Sequence, residues 1–107
     1  MKIVLQTNDV KVSTHELKAN ESGKLHFHRF IKEHFFCLSG ILEVKIFSPD
    51  ETVILLPGES VLINPERRHM VANNDSSNSS YLIVQGIGEY DFIESKDSEL
   101  KSSTGDE

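Results

Sequence analysis

The sequence predicts an all-β fold, a double-sheet jelly roll. Roughly eight short stretches show strand patterning, either period-two alternation or brief blocks rich in β-branched and aromatic residues. Clusters of Gly, Pro, Asn, Asp and Ser punctuate them at regular intervals. No stretch carries a helical period, and many short, evenly spaced strands are the pattern of two packed antiparallel sheets.

Taken in order, Val10, Val12 and Thr14 alternate with Lys11, Ser13 and His15, a half-buried strand. His15 falls on the Lys11 face and is expected to be solvated. Asn20-Glu21-Ser22-Gly23 is a turn by composition. Residues 25–28 form a short strand, and residues 33–38 another, rich in aromatics. Ser39-Gly40 turns the chain into residues 41–47, where Leu42, Val44 and Ile46 share one face and Glu43 and Lys45 the other. Ser48-Pro49-Asp50-Glu51 is a hairpin-type turn. Strands follow at 52–56, 60–63, 68–73 and 80–85, with loops at Pro57-Gly58 and across the Asn- and Ser-rich run 73–80. His34 follows Glu33, so it faces the opposite side, together with Phe36 and Leu38. So apolar an outer face calls for a cover. The expected cover is a second copy of the chain in a two-fold homodimer; the alternative is the chain's own amino-terminal segment.

A chain of 107 residues makes one domain, and burial of roughly 65% of its unfolded surface supports one modest core. Residues 1–94 are read as that domain. Residues 95–107 are polar apart from Leu100 and read as a frayed tail. The net charge of −6 argues against a nucleic-acid partner. A single cysteine, Cys37, excludes an intrachain disulfide, and its neighbours Phe35, Phe36 and Leu38 mark it as a buried small hydrophobe. The apolar run Ile3-Val4-Leu5 is too short for a signal peptide, and no stretch approaches a membrane span. A cytoplasmic protein without membrane contact is the expectation.

The chemistry is concentrated in two blocks. His26 and His28 lie two apart on a strand, so both imidazoles point the same way, about 7 Å apart along it. Glu33 follows five residues later, and His69 comes from a distant strand. Three imidazole nitrogens and one carboxylate oxygen suit a single divalent ion: zinc, iron, manganese or nickel. Four protein ligands leave open positions for substrate, water or dioxygen.

These residues, with Gly40, Gly58 and Asn73, resemble the motifs of the cupin superfamily. The first motif runs His26, His28, a four-residue gap, Glu33, a six-residue gap and Gly40. The second begins at Gly58 and ends at His69 and Asn73, departing in the middle, where Asn64 stands in the place of Pro and Glu66 in that of Gly. The resemblance spans roughly residues 10–94 and implies a double-stranded β-helix, the cupin barrel, with His26, His28, Glu33 and His69 as metal ligands. A narrower likeness joins residues 33–40, 56–63 and 82–91 to the cupin domain of type II mannose-6-phosphate isomerases. That family carries arginine where this chain has Ile31, and an arginine near the end of the resemblance, where Glu94 stands here. Asp91 is kept. Efficient mannose-6-phosphate isomerisation is therefore not expected.

Three readings of function remain open. The first is a metalloenzyme, an isomerase, dioxygenase or lyase, acting on a small polar chelating molecule such as a sugar derivative or a keto or hydroxy acid. The second is a metal-dependent binding or sensing module without turnover. The third is a metal-free barrel whose histidines hydrogen-bond a ligand. Tyr81 and Gln85 are the candidate ligand-binding residues, with Glu66 a further polar group near the barrel. No residue is singled out as a catalytic acid or base.

Overall fold

Ten strands build the computed structural model, in which residues 1–95 are described. They are β1 (Lys2–Gln6), β2 (Val10–Leu17), β3 (His26–Phe27), β4 (Lys32–Ser39), β5 (Leu42–Ile46), β6 (Glu51–Leu55), β7 (Ser60–Ile63), β8 (His69–Ala72), β9 (Ser79–Gly86) and β10 (Ile93–Glu94). They pair antiparallel in two five-stranded sheets. The first sheet has the order β1-β2-β9-β4-β7 and the second β10-β3-β8-β5-β6. Among the described residues no helix is long and apolar enough to cross a membrane. The jelly roll read from the sequence is thus the fold.

Alternation decides what each sheet buries. In β5, Leu42, Val44 and Ile46 turn inward and Glu43 and Lys45 outward, as the pattern predicts. These three pack with Phe35, Leu55 and Ile63 into one apolar cluster between the sheets. Cys37 joins that cluster as a free, buried thiol, and burial pushes its pKa up. It behaves as the small hydrophobe its neighbours imply.

Two glycine positions of the motifs show why the backbone turns where it does. Gly40 sits at φ 73°, and a Cβ there would lie 2.6 Å from the Asn78 carbonyl oxygen. Only glycine fits both the left-handed conformation and the close approach. At the other position Glu66 adopts φ 69° in the turn before His69. The chain therefore keeps the left-handed turn with a non-glycine residue, at some conformational cost. Glu66 is exposed there, away from the barrel interior where the sequence reading had set it.

Several expectations are corrected. The amino-terminal segment forms β1, which extends the first sheet beside β2 and is exposed along its whole length. It lies at the edge and does not cover the outer face. The strand read at 25–28 is only two residues long by pairing, because the chain leaves the sheet at His28. β10 was not foreseen; two residues of it pair with β3. In β2 the inward face is the polar one: Ser13 is buried, and His15 is half-buried rather than solvated. Ser95, assigned to the tail from composition, is buried, donates its N–H to the Leu25 carbonyl and accepts from Arg68 Nε. The rest of the predicted tail, 96–107, lies outside the described residues.

Candidate metal centre

Strand register assembles the four predicted ligands. His26 on β3 and His69 on β8 are direct cross-strand partners in the second sheet. Glu33 on β4 belongs to the facing sheet, between Gln85 on β9 and Ile63 on β7. His28 follows β3. Glu33, His28 and His69 are each no more than 2% exposed.

The imidazoles are oriented alike. His26 Nδ1 donates to the Lys24 carbonyl at 2.8 Å and His69 Nδ1 to the Arg67 carbonyl at 2.8 Å. His28 Nδ1 donates to the Asp91 carbonyl. With each Nδ1 spent on a backbone oxygen, each Nε2 lone pair is free to face inward, the arrangement that fixes a ligating tautomer. His26 Nε2 lies 3.7 Å and His28 Nε2 3.1 Å from the Glu33 carboxylate, and His69 Nε2 contacts it directly. One ligand atom from each of the four residues lies within 4.8 Å of the others. Buried His28 Nε2 lies 3.1 Å from the Glu33 carboxylate but forms no well-aligned hydrogen bond with it or with another described residue. An orphaned buried nitrogen is costly unless something else occupies it. The donor set and that nitrogen both fit a divalent ion.

Electrostatics agree. Burial would push the Glu33 carboxyl up, but its contacts with His26, His28 and His69 outweigh burial and hold it far below the usual carboxylate range. His28 shows the reverse balance: burial opposes its charge, yet Glu33 and the Asp91 carbonyl raise its pKa. A carboxylate held ionised among three imidazoles is suited to a cation.

Supporting residues come from the segment before β10. The Phe92 ring stacks on His26 at 4.5 Å, and Tyr90 packs on His28 at 5.5 Å. Asp91 is pinned by Arg29, which donates from its backbone N at 3.0 Å and from Nε at 2.7 Å. That guanidinium holds the Asp91 carboxyl below its ordinary value. Arg29 is thus outward-facing. The sequence singled out Asp91 only as a family match; its carbonyl seating His28 had no local signal.

A cavity of about 190 Å³ opens beside the cluster. This is well beyond the roughly 15 Å³ one water needs, so a molecule of several heavy atoms fits. Tyr81 and Gln85, the predicted ligand-binding pair, both line it. Gln85 Nε2 donates to Glu33 Oε2 at 2.7 Å, so its first job is to hold the carboxylate. Tyr81 is neutral at ordinary pH, its phenol pushed up to about 12 by burial, with Glu33 adding to the shift. Sequence reasoning missed Lys11, Ser13 and His15, which line the same cavity. Ser13 Oγ and His15 Nε2 are 2.9 Å apart, and the His15 ring stacks on Tyr81 at 5.2 Å. Asn73, which ends the second motif, is no ligand. Fully buried, it donates to the carbonyls of Leu17, Lys18 and Ser77 and pins the loop after β8. His34 lies outside the site and pairs with Ser60 Oγ at 3.2 Å.

Two facing sheets enclosing a His-His-Glu-His cluster define a β-barrel with a cluster that could hold a metal ion. The cupin domain matches residues 13–85, more than half of the sequence, and the chain belongs to that family. No curated protein matches it. Among solved structures it is similar to an uncharacterized conserved protein with a double-stranded β-helix domain from Klebsiella pneumoniae (TM-score 0.79, 20% identity, covering 88% of this chain and 81% of that one). It is also similar to KdgF from Halomonas sp. (0.72, 19%, 82% and 79%). An oxalate oxidase solved with the substrate analogue glycolate matches at 0.73 and 14% identity, over 79% of this chain and 45% of that one. At these identities the likeness establishes the fold.

Proposed function

We propose that the protein is a metal-dependent cupin that binds, and acts on, a small polar molecule able to chelate through its own oxygens. The convergence of three Nε2 atoms and the Glu33 carboxylate beside an open cavity carries this reading. Its metal is zinc, iron, manganese or nickel, and when bound it supplies Lewis acidity toward a chelating oxygen. Glu33 and the three imidazoles hold the ion, Gln85 holds Glu33, and Tyr81 offers a neutral hydroxyl to the ligand. The oxalate oxidase with glycolate lends support, since a small hydroxy acid is the kind of molecule this cavity suits. Metal analysis of protein purified without an affinity tag tests the proposal. About one divalent ion per chain is expected. A protein that arrives empty and takes up no Co(II), Zn(II) or Fe(II) would refute it.

The resemblance to mannose-6-phosphate isomerases extends, on this reading, to the barrel and not to the activity. Arginine is the usual seat for a phosphate, and none is among the described residues lining the cavity. Ile31 is buried at 2% exposure, and Glu94 pairs with Lys24. A coupled assay for fructose-6-phosphate with metal-loaded protein should find no efficient turnover. A kcat/KM above ~10⁴ M⁻¹s⁻¹ would restore the isomerase.

We also propose a cytoplasmic setting, which suits the free Cys37 thiol, and a two-fold homodimer formed through the outer face of the first sheet.

A further inference from the structure

Building on the metal-bound ligand proposed above, we infer that this ligand is an organic acid with a second carboxylate, and that Lys11 binds that carboxylate from the wall facing the histidines. Lys11, Gln85 and Glu33 form one row across three strands: Lys11 pairs with Gln85 in β2 and β9, and Gln85 pairs with Glu33 in β9 and β4. Strands lie about 4.8 Å apart, so the backbone of Lys11 stands roughly 10 Å from that of Glu33. Both side chains enter the same cavity. The two side chains cover part of that distance themselves, which leaves a short hydroxy diacid, chelating at one end, to meet both.

The Lys11 ammonium is held in place and lacks a carboxylate. It lies 4.8 Å over the Tyr90 ring, whose face favours a cation. Among the described residues it is in no ion pair, although the chain has a net charge of −6. Lys24, Arg29, Lys45 and Arg67 each have a carboxylate partner, whereas Lys2, Lys18, Lys32 and Arg68, like Lys11, lack one among the described residues; of these unpaired cations Lys11 alone lines the cavity. A half-buried cation without a carboxylate, set beside an open cavity, suits an anion brought from outside. Beside Lys11 on β2, Ser13 and His15 add neutral polar groups to a lining that also holds Phe35 and Ile83. Burial, with positive charge nearby that includes Lys11, lowers the His15 pKa, so that imidazole offers hydrogen bonds without charge. Ser13, 1% exposed, fixes its orientation.

The experiment compares malate with lactate by calorimetry on Co(II)-loaded protein. Both chelate through the same α-hydroxy carboxylate, and malate adds one carboxylate where lactate has a methyl. Malate, as one of its enantiomers, should bind at least tenfold tighter than lactate. Lys11→Met should weaken malate about tenfold and leave lactate within twofold. Lys45→Met, on the outer face of the other sheet, should change neither and controls for overall charge. Equal binding of the two acids, no binding of either, or a Lys11→Met effect that is absent or shared by lactate would overturn the inference. Co(II) uptake, measured first, separates the two readings: without it the metal proposal fails, and with it only the Lys11 subsite is on trial.

Discussion

β2 and β5 both alternate apolar and polar side chains, yet they sit in the barrel the opposite way round. β5 turns Leu42, Val44 and Ile46 inward and shows Glu43 and Lys45 to solvent. β2 turns Lys11, Ser13 and His15 toward the cavity and leaves Val12 and Thr14 on the outside. On the outside, the difference runs through the sheets they belong to. Across the first sheet, Val12, Val84, His34 and Leu62 lie in one outward row, with Thr14, Leu82, Phe36 and Ser60 beside it. Outside the second sheet, Lys45 stands between Thr52 and Met70. Outside, one sheet is charged and the other apolar; inside, both mix the two kinds, for Phe35, Ile63 and Ile83 of the first sheet join the apolar cluster while His26 and His69 of the second line the site. Period two says that a strand has two unlike faces; it does not say which face the fold turns inward.

The largest expected effect comes from breaking the chemical lining where the sheets meet. A His28→Ala, His69→Ala double variant should bind Co(II) at least a thousandfold more weakly than the native protein, about 4 kcal/mol. Titration followed by the cobalt absorption bands measures this. Retention of full stoichiometry at low micromolar metal would mean that other residues hold the ion.

Breaking the apolar lining should act on stability instead. Leu42 is fully buried in the central cluster, so Leu42→Ala should cost about 2–5 kcal/mol. In a domain of this size that lowers Tm by roughly 10 °C or more. Val12→Ala, on the outward face of β2, should cost less than about 1 kcal/mol in the monomer. If the two variants melted alike, the inside-out reading of β2 would be wrong.

Acidity sharpens the comparison within the site. Glu33 has a folded pKa below its unfolded value, so its contribution to stability is present above about pH 4.5 and is lost as pH falls below that. The folded pKa of His28 is raised, so its contribution is complete below about pH 6.5 and is lost as pH rises through the folded value. Metal-free protein should therefore lose Tm between pH 6 and 8 from His28, while the increment in Tm caused by added zinc grows over the same range, because the ion replaces that proton. Thermal melts with and without zinc across pH 5–8 check both slopes. A zinc increment that shrinks as pH rises would contradict the assignment of His28 as a ligand.

The fold and the His26, His28, Glu33 part of the cluster were legible because they rest on short-range order. Alternation in β5, the His26–His28 spacing and the glycine at Gly40 each depend on a few neighbouring residues. What escaped the sequence depends on long-range register. The Asp91 carbonyl reaches His28 from 63 residues away, and Gln85 meets Glu33 across 52. Lys11 and His15 were set on a solvated face because polar residues usually are, and only the pairing of β2 with β9 reverses that. Tyr81 and Gln85 were placed in the barrel from the sequence, yet nothing in it distinguished Gln85's grip on Glu33 from direct contact with a ligand.

The smallest effect concerns the apolar exterior of the first sheet. Leu62 and Leu38 are about half exposed, at 47% and 48%, and lie on the same face as Phe36, Leu82 and Val84. β1 extends that sheet without covering it. A second copy related by a two-fold axis would bring the face against itself, and a stable dimer interface typically removes ~1,600 Å² or more from water. Light scattering at micromolar concentration should give about 24 kDa, twice the 12.1 kDa chain. A Leu38→Glu, Leu62→Glu double variant would place four carboxylates in the dimer interface and should run as a monomer. Its cobalt titration should stay within about threefold of native, because neither residue lines the cavity. A native protein that scatters as a 12 kDa monomer would leave this face uncovered and reject the dimer.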